Sequence, residues 1–151
     1  GEIHIADIKA PHGLVVEFQH SFLKLEEALK RTQFYGNMFW VVDGLRRNTD
    51  LAQFKKALEF ARTYSTPTGV IYQVSIRGTR LLREWAPVGV FVAFDFGIDK
   101  VWLLRRVHDT VVLGFLFPKA DLIEAIKSKK GFPDIVYNRN YRRRGRRYRR
   151  W

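Results

Sequence analysis

Two short apolar runs near the start of the chain constrain its fold more than any other feature. The first is His4-Ile-Ala-Asp7, and the second is Leu14-Val-Val-Glu-Phe-Gln-His-Ser21. Both are rich in Ile and Val and too short for helices, and Lys9-Ala-Pro-His-Gly13 between them carries turn residues. The pattern predicts an antiparallel pair of strands, with Asp7 closing the first strand and Glu17 inside the second.

The second run presents two kinds of side chain, because alternate residues of a strand point in opposite directions. Leu14, Val16 and Phe18 form a wholly apolar face that suits a hydrophobic core. Val15, Glu17 and Gln19 lie on the opposite face. The sequence therefore predicts a hydrophobic core on the side of Leu14, Val16 and Phe18.

Glu17 is the residue of this strand that most needs an explanation. An ionised carboxylate among β-branched residues suffers a desolvation cost of several kcal/mol unless a partner compensates it. A divalent cation shared with Asp7 is one such partner, and oxygen ligands of this kind favour Mg²⁺, Mn²⁺ or Ca²⁺ over zinc. Two other interpretations stay open: Glu17 on a solvated strand face, and Asp7 as the residue that begins the turn.

The spacing of these residues is similar to that of a known family. The pattern His4-x-Ala-Asp7…Glu17-Phe18-Gln19-His20-Ser21, followed by Arg31 and Tyr35, resembles the competence protein CoiA-like family of the PD-(D/E)XK nuclease superfamily. The resemblance implies an α/β (α+β) fold with a restriction-endonuclease-like core, in which a mixed sheet is flanked by helices. It also implies a nuclease that uses Mg²⁺ or Mn²⁺ to hydrolyse phosphodiester bonds during DNA processing, in competence or recombination.

The same resemblance assigns roles to individual residues. Asp7, Glu17 and Gln19 are the implied catalytic residues. The metal would be held by Asp7, Glu17 and the backbone carbonyl of Phe18, and Gln19 would orient the attacking water. A further group is implied to support the site or to bind phosphate: His4, His20, Arg31 and Tyr35.

Arg31 and the two histidines also have simpler interpretations. Glu27, Arg31 and Tyr35 lie four residues apart, so an ordinary surface ion pair along one helix accounts for Arg31. His4 and His20 show no metal-ligand spacing of the HExxH type, which favours structural roles for both.

Gln19 departs from the superfamily pattern, which usually has Lys at this position. A neutral amide donates and accepts hydrogen bonds but has no positive charge. A noncatalytic nucleic-acid-binding module on a nuclease-like framework is therefore the alternative function. The superfamily core also normally places a helix and a strand before the strand that carries the Asp. Either a later strand fills that place, or the chain is a piece of a longer protein.

Later apolar runs predict the rest of an α/β domain. Strands are expected over residues 38–43, 69–76, 88–96, 101–107 and 110–117, of which the last three would form an antiparallel meander. Helices are expected after Ser21, which would cap or start the first one, over 50–63 with Thr49 or Asp50 as cap, over 79–85, and over 118–127.

The positive charge of the chain is concentrated at its end. The net charge is +12, and residues 139–151 hold eight Arg and no acidic residue, which leaves +4 for residues 1–138. Guanidinium groups interleaved with aromatic rings suit phosphate contacts and base stacking, although a solvated arm that binds any polyanion stays open. We divide the chain into a nuclease-like domain, 1–138, and a nucleic-acid-binding tail, 139–151. The tail residues assigned to binding are Arg142, Arg143, Arg144, Arg146, Arg147, Tyr148, Arg149, Arg150 and Trp151.

Composition bounds the class of protein. A chain of 151 residues with 46% hydrophobic content is sufficient for one domain with a core. The absence of Cys excludes disulfides and thiol catalysis and is compatible with a reducing, bacterial-type cytoplasm. The expected partner is single- or double-stranded DNA, with RNA and a homodimer left open. No membrane association is expected, because no apolar run is long enough to cross a bilayer.

Overall fold

The strands of the protein join one mixed sheet in the computed structural model, which describes residues 7–67, 69–108 and 110–127. Within these residues the strands are β1 (Ile8–Lys9), β2 (Val15–Gln19), β3 (Met38–Asp43), β4 (Arg62–Thr66), β5 (Gly69–Ser75), β6 (Val92–Asp95), β7 (Lys100–His108) and β8 (Val111–Pro118). The helices are α1 (Leu25–Tyr35), α2 (Asn48–Glu59), α3 (Arg80–Trp85) and α4 (Lys119–Lys127), with a 3₁₀ turn at Ala86–Val88. The protein therefore has a mixed α/β fold, as the sequence predicts.

The sheet has the strand order β1-β2-β3-β6-β7-β8-β5-β4. Strands β2, β3 and β6 are parallel neighbours, and the remaining pairs are antiparallel. The predicted meander is confirmed, because β6 pairs with β7 and β7 pairs with β8, both antiparallel. The carboxyl ends of β2, β3 and β6 consequently lie along one edge of the sheet, where parallel strands commonly present functional residues.

Helices cover the two faces of the sheet unequally. On one face, α1, α2 and α3 contribute Ala28, Phe54 and Leu81 to the larger of the buried clusters. On the other face, α4 contributes Leu122 to a second buried cluster. Strand β2 lies between these two layers, so both of its faces are covered.

This arrangement corrects the predicted faces of β2. Leu14 and Val16 are buried as expected, but Phe18 is 39% exposed. On the opposite face Val15 is buried, with 3% of its surface exposed, and Glu17 is buried beside it. Helices on both sides of this strand bury residues on both of its faces. The expected core face is therefore confirmed at Leu14 and Val16 but not at Phe18, and the opposite face is buried as well.

The predicted helix over 50–63 was wrong at both ends. Helix α2 begins at Asn48 after Arg47, so neither Thr49 nor Asp50 is its cap, and no side chain makes a capping hydrogen bond. The helix ends at Glu59, and residues 62–66 form β4, which pairs antiparallel with β5. Helical periodicity continues past Glu59 in the sequence, but pairing with the neighbouring strand determines the structure there.

The start of α1 was also predicted incorrectly. The helix begins at Leu25 with Lys24 as its N-cap and no side-chain cap, so Ser21 does not cap it. Its other end agrees with the sequence, since Gly36 adopts a positive φ of 70° at the C-cap. The predicted strands over 38–43 and 69–76 and the helices over 79–85 and 118–127 are confirmed within one or two residues.

Among the residues that the structure describes, no helix is long and apolar enough to cross a bilayer. The basic tail, 139–151, and the boundary at residue 138 lie outside the described residues.

Candidate metal centre

The pairing of β1 with β2 brings Asp7 to the carboxyl end of β2. Ile8 lies opposite Val16, and Lys9 lies opposite Val15. The preceding residue, Asp7, accepts a hydrogen bond from the backbone N–H of Phe18, with 2.7 Å between Oδ2 and N. In the described part of the chain Asp7 therefore precedes the first strand, which corrects the expectation that it closes that strand. The predicted juxtaposition of Asp7 with the Glu17-Phe18 segment is nevertheless present.

Glu17 is buried on the face of the sheet that α1, α2 and α3 cover, with 4% of its surface exposed. Its register partner on β3 is Trp40, which is fully buried. A solvated strand face, the simplest interpretation of Glu17 in the sequence, is therefore excluded. An acid in this position needs either a proton or a positively charged partner.

The two acids of the hairpin act on each other. Burial raises the pKa of Glu17 above its ordinary value, and the charge of Asp7 and a side-chain hydrogen bond with Asp7 raise this pKa further. Without a cation, Glu17 is therefore expected to hold its proton to higher pH than an ordinary glutamate does.

Helix α1 supplies the two groups that oppose this effect. The positive charge of Arg31 and a hydrogen bond from the Tyr35 hydroxyl each lower the pKa of Glu17. Burial in turn raises the pKa of Tyr35, and the Glu17 carboxylate adds to the increase. Both predicted supporting residues of this helix thus face the buried acid.

Arg31 pairs with an acid of its own helix and also acts on Glu17. Its Nε donates to Oε1 of Glu27 at 3.0 Å, which is the i, i+4 ion pair expected from the spacing. The same guanidinium acts electrostatically on Glu17 and Tyr35. Its side chain is 30% exposed, so part of it is accessible from solvent beside the acids.

Gln19 is held by the turn that follows β2. Its Nε2 donates to the carbonyl oxygen of Ser21 at 2.8 Å and to the Ser21 hydroxyl at 3.2 Å. Ser21 therefore fixes the Gln19 amide, a role that the sequence did not suggest. The remaining polar atom of the amide, Oε1, is a hydrogen-bond acceptor.

His20 lies beside an acid that sequence reasoning did not single out. Its Nδ1 is 3.8 Å from Oδ2 of Asp43, the last residue of β3, and the His20 side chain is 76% exposed. Asp43 ends an apolar run on the strand next to β2, and the parallel pairing of these strands places both ends at one edge. The position of Asp43 directly after an apolar run was the feature of the sequence that could have identified it. His4 lies outside the described residues.

The donor set of the hairpin fits a hard divalent cation. Among the described residues no group of three or more His, Cys, Asp or Glu side chains is arranged to hold a metal. Mg²⁺ is commonly held by one or two carboxylates and keeps several waters, and Asp7 with Glu17 supplies that number. A cation would compete with the proton of Glu17 and relieve the repulsion between the two carboxylates.

Comparison with protein-family models, with curated proteins and with solved structures gives no match for the chain. We therefore infer the function from the residues of the site.

Proposed function

We propose that the protein is a Mg²⁺- or Mn²⁺-dependent nuclease that hydrolyses phosphodiester bonds in DNA, of the CoiA-like PD-(D/E)XK type with a restriction-endonuclease-like core. The observation that supports this most is the buried Glu17, 4% exposed, in side-chain contact with Asp7. A buried carboxylate is costly to keep ionised without a cation or another positive partner. The order of the pair along the chain, followed by Phe18 and Gln19, agrees with the family pattern.

Each residue of the site would have one task. Asp7, Glu17 and the backbone carbonyl of Phe18 would hold the cation, which when bound lowers the pKa of a water and polarises a phosphate. Gln19, positioned by Ser21, would accept a hydrogen bond from the attacking water through Oε1. Arg31 would bind a non-bridging phosphate oxygen through its planar guanidinium, for which Arg is well suited.

Tyr35 has a positioning role in this proposal. Its hydroxyl acts to lower the pKa of Glu17 and so favours the ionised form of Glu17 that a cation requires. Its ring packs edge-on against Phe34, with 5.2 Å between the ring centroids. Tyr35→Phe should therefore weaken metal binding without removing a ligand.

Cleavage of end-labelled single- and double-stranded DNA in Mg²⁺, Mn²⁺ or EDTA tests the function. Asp7→Asn and Glu17→Gln should each reduce the cleavage rate by about 100-fold or more, because loss of a ligand costs at least as much as loss of a residue that orients one. Asp121→Asn and Glu124→Gln are matched controls, since both acids are exposed on α4 at the opposite face. These controls should retain the full rate.

Two results would contradict the proposal. Metal-dependent cleavage that survives in both Asp7→Asn and Glu17→Gln would place the chemistry elsewhere. Tight DNA binding without cleavage in any metal would favour the noncatalytic binding module. In that module Gln19 stands at the position where the superfamily usually has Lys.

A further inference from the structure

Glu84 of α3 holds three arginines together. Its Oε1 accepts hydrogen bonds from Nη1 of Arg47 at 2.6 Å and from Nε of Arg80 at 3.0 Å. Its Oε2 accepts one from Nη2 of Arg47 at 3.1 Å and lies 3.6 Å from Nη2 of Arg46. Two segments that are distant in the sequence thus place their guanidinium groups around one carboxylate, and we call these four residues the Glu84 cluster.

Arg47 is the structural member of this cluster. Its Nη atoms bind Glu84, and its Nε donates to Oδ2 of the fully buried Asp50 at 2.9 Å. The hydrogen bonds to Glu84 raise the pKa of Arg47 further. Burial acts to raise the pKa of Glu84, but the hydrogen bonds and charges of Arg47, Arg80 and Arg46 outweigh it, so this pKa is lowered. The cluster is therefore fully ionised at neutral pH.

Two more arginines extend the positive charge beyond the Glu84 cluster. Arg77 and Arg83 are both exposed, and Nη1 of Arg83 donates to the backbone carbonyl of Arg77. Arg80 between them is 56% exposed at its side chain. We call the following five residues the arginine surface: Arg46, Arg47, Arg77, Arg80 and Arg83. Among the described residues, Asp50 and Glu84 are the acids bonded to these arginines, which leaves an excess of three positive charges there.

One end of the arginine surface lies at the sheet edge that carries the candidate metal centre. Arg46 and Arg47 lie in the loop after β3, whose last residue, Asp43, is 3.8 Å from His20 at the end of β2. Helix α3 packs on the same side of the sheet as α1, because Leu81 and Ala28 belong to one buried cluster. Arg77 follows β5, whose last residue, Ser75, pairs with Val111 at the opposite edge. The arginine surface thus extends from the edge of the candidate metal centre along this face to the opposite edge.

We propose that the arginine surface binds the sugar-phosphate backbone of DNA and positions a strand for the candidate metal centre. This inference rests on the proposed function for its choice of partner. Guanidinium groups match phosphate oxygens geometrically, and Glu84 fixes their positions, so little side-chain entropy is lost when a phosphate binds. A DNA strand presents regularly repeated charges, which suits several arginines in a row better than a single small anion does.

Equilibrium binding of DNA to the full chain in EDTA tests the surface without requiring cleavage. The variant R77Q/R80Q/R83Q should bind about tenfold or more weakly at moderate salt. Each lost phosphate contact removes about 0.7–0.9 from the log–log salt slope, so the slope should fall by about 2. The control K56Q/R62Q/K127Q removes the same charge from exposed positions on α2, β4 and α4 and should change the slope by less than about 1.

The double variant R77Q/R83Q leaves the Glu84 cluster intact. It should show about two-thirds of the reduction in salt slope that the triple variant shows. It therefore separates phosphate contacts from a folding defect, which circular dichroism would also report. Equal effects of the triple variant and its control would overturn the proposal. So would loss of binding to phosphatidylserine vesicles together with unchanged DNA affinity, because the surface would then serve a membrane. A wild-type chain that binds DNA through this surface but cleaves in no metal would contradict only the nuclease function.

Discussion

The carboxylate of Asp7 accepts a hydrogen bond from the backbone N–H of Phe18 at 2.7 Å, across the first hairpin of the sheet. Phe18 directly follows Glu17, so this bond sets the position of one acid against the strand that carries the other. The two acids are thereby brought together by backbone pairing, before any cation binds. The raised pKa of the buried Glu17 gives the site its most direct experimental signature.

Glu17→Gln should change how stability depends on pH. The pKa of Glu17 is raised in the folded protein, so between the unfolded and folded pKa values the native state binds more protons than the unfolded state. The stabilising contribution is full below the unfolded pKa, about 4.3, and is lost as the pH rises through the folded pKa, with a slope of at most about 1.4 kcal/mol per pH unit. Urea unfolding of both proteins between pH 4 and pH 8 would measure it. A stability difference between wild type and Glu17→Gln that does not fall with rising pH would contradict a raised pKa of Glu17.

Mn²⁺ should restore the stability that the acid pair loses at neutral pH. A cation that binds only the native state stabilises it by about 2.7 kcal/mol at 100 times its dissociation constant. The increase in melting temperature should grow with pH, because the cation competes with a proton for the Glu17 carboxylate. Asp7→Asn and Glu17→Gln should abolish the increase, and Asp121→Asn should retain it. Equal stabilisation of all four proteins would mean that the ion binds elsewhere.

Arg31→Gln should move the pH dependence of metal binding to higher pH. Arg31 lowers the pKa of Glu17, so its removal strengthens proton binding in competition with the cation. Glu27→Gln is the matched control, because it breaks the 3.0 Å ion pair with Arg31 but leaves the Arg31 charge in place. Thermal shifts with Mn²⁺ over a pH series would distinguish the two. A shift of the same size in both variants would show that the helix, and not the charge of Arg31, is responsible.

The sequence predicted the composition of this site better than its surroundings. Glu17 stood out because an acid within a β-branched strand requires compensation, and the same helical stripe that predicted the Arg31–Glu27 pair also placed Tyr35 beside it. Burial of both faces of β2 was not predictable from the alternation of the strand, since it depends on helices from distant parts of the chain.

Long-range contacts also explain what was missed. The carboxyl group of Glu84 meets Arg46 and Arg47 across 37 or more residues, and no local pattern indicates that meeting. The first two residues of β4, 62 and 63, were predicted as the end of a helix. Periodicity does not reveal the pairing of β4 with β5, because that pairing is a tertiary contact. Local patterns thus identified the hairpin and α1, whereas the charged network beside them required the fold.

Gly44 should be intolerant of substitution for a reason that concerns space alone. It follows Asp43 at the end of β3, and a Cβ added there would overlap with Cε1 of Phe96, which is buried. Gly44→Ala should destabilise the protein by about 1–3 kcal/mol, as overpacked cores usually do. Gly78→Ala is the matched control, since an added Cβ at Gly78 meets nothing within 4 Å. Chemical unfolding measures both, and equal stabilities would show that the Phe96 ring moves aside at no cost.

Glu84→Gln should destabilise the protein and make the remaining stability less sensitive to acid. The substitution removes the charge shared by Arg46, Arg47 and Arg80, and we expect a loss of about 1–3 kcal/mol at pH 7, less than for a fully buried pair because Glu84 is 21% exposed. The pKa of Glu84 is lowered in the folded state, so its contribution is present above the unfolded pKa and disappears as the pH falls through the folded pKa. The stability difference between wild type and Glu84→Gln should therefore shrink in acid. Glu59→Gln, at the exposed end of α2, should show no such difference at any pH. Unfolding curves at pH 7 and pH 3 would provide the comparison, and a Glu84→Gln difference that is unchanged in acid would show that packing, not charge, makes Glu84 important.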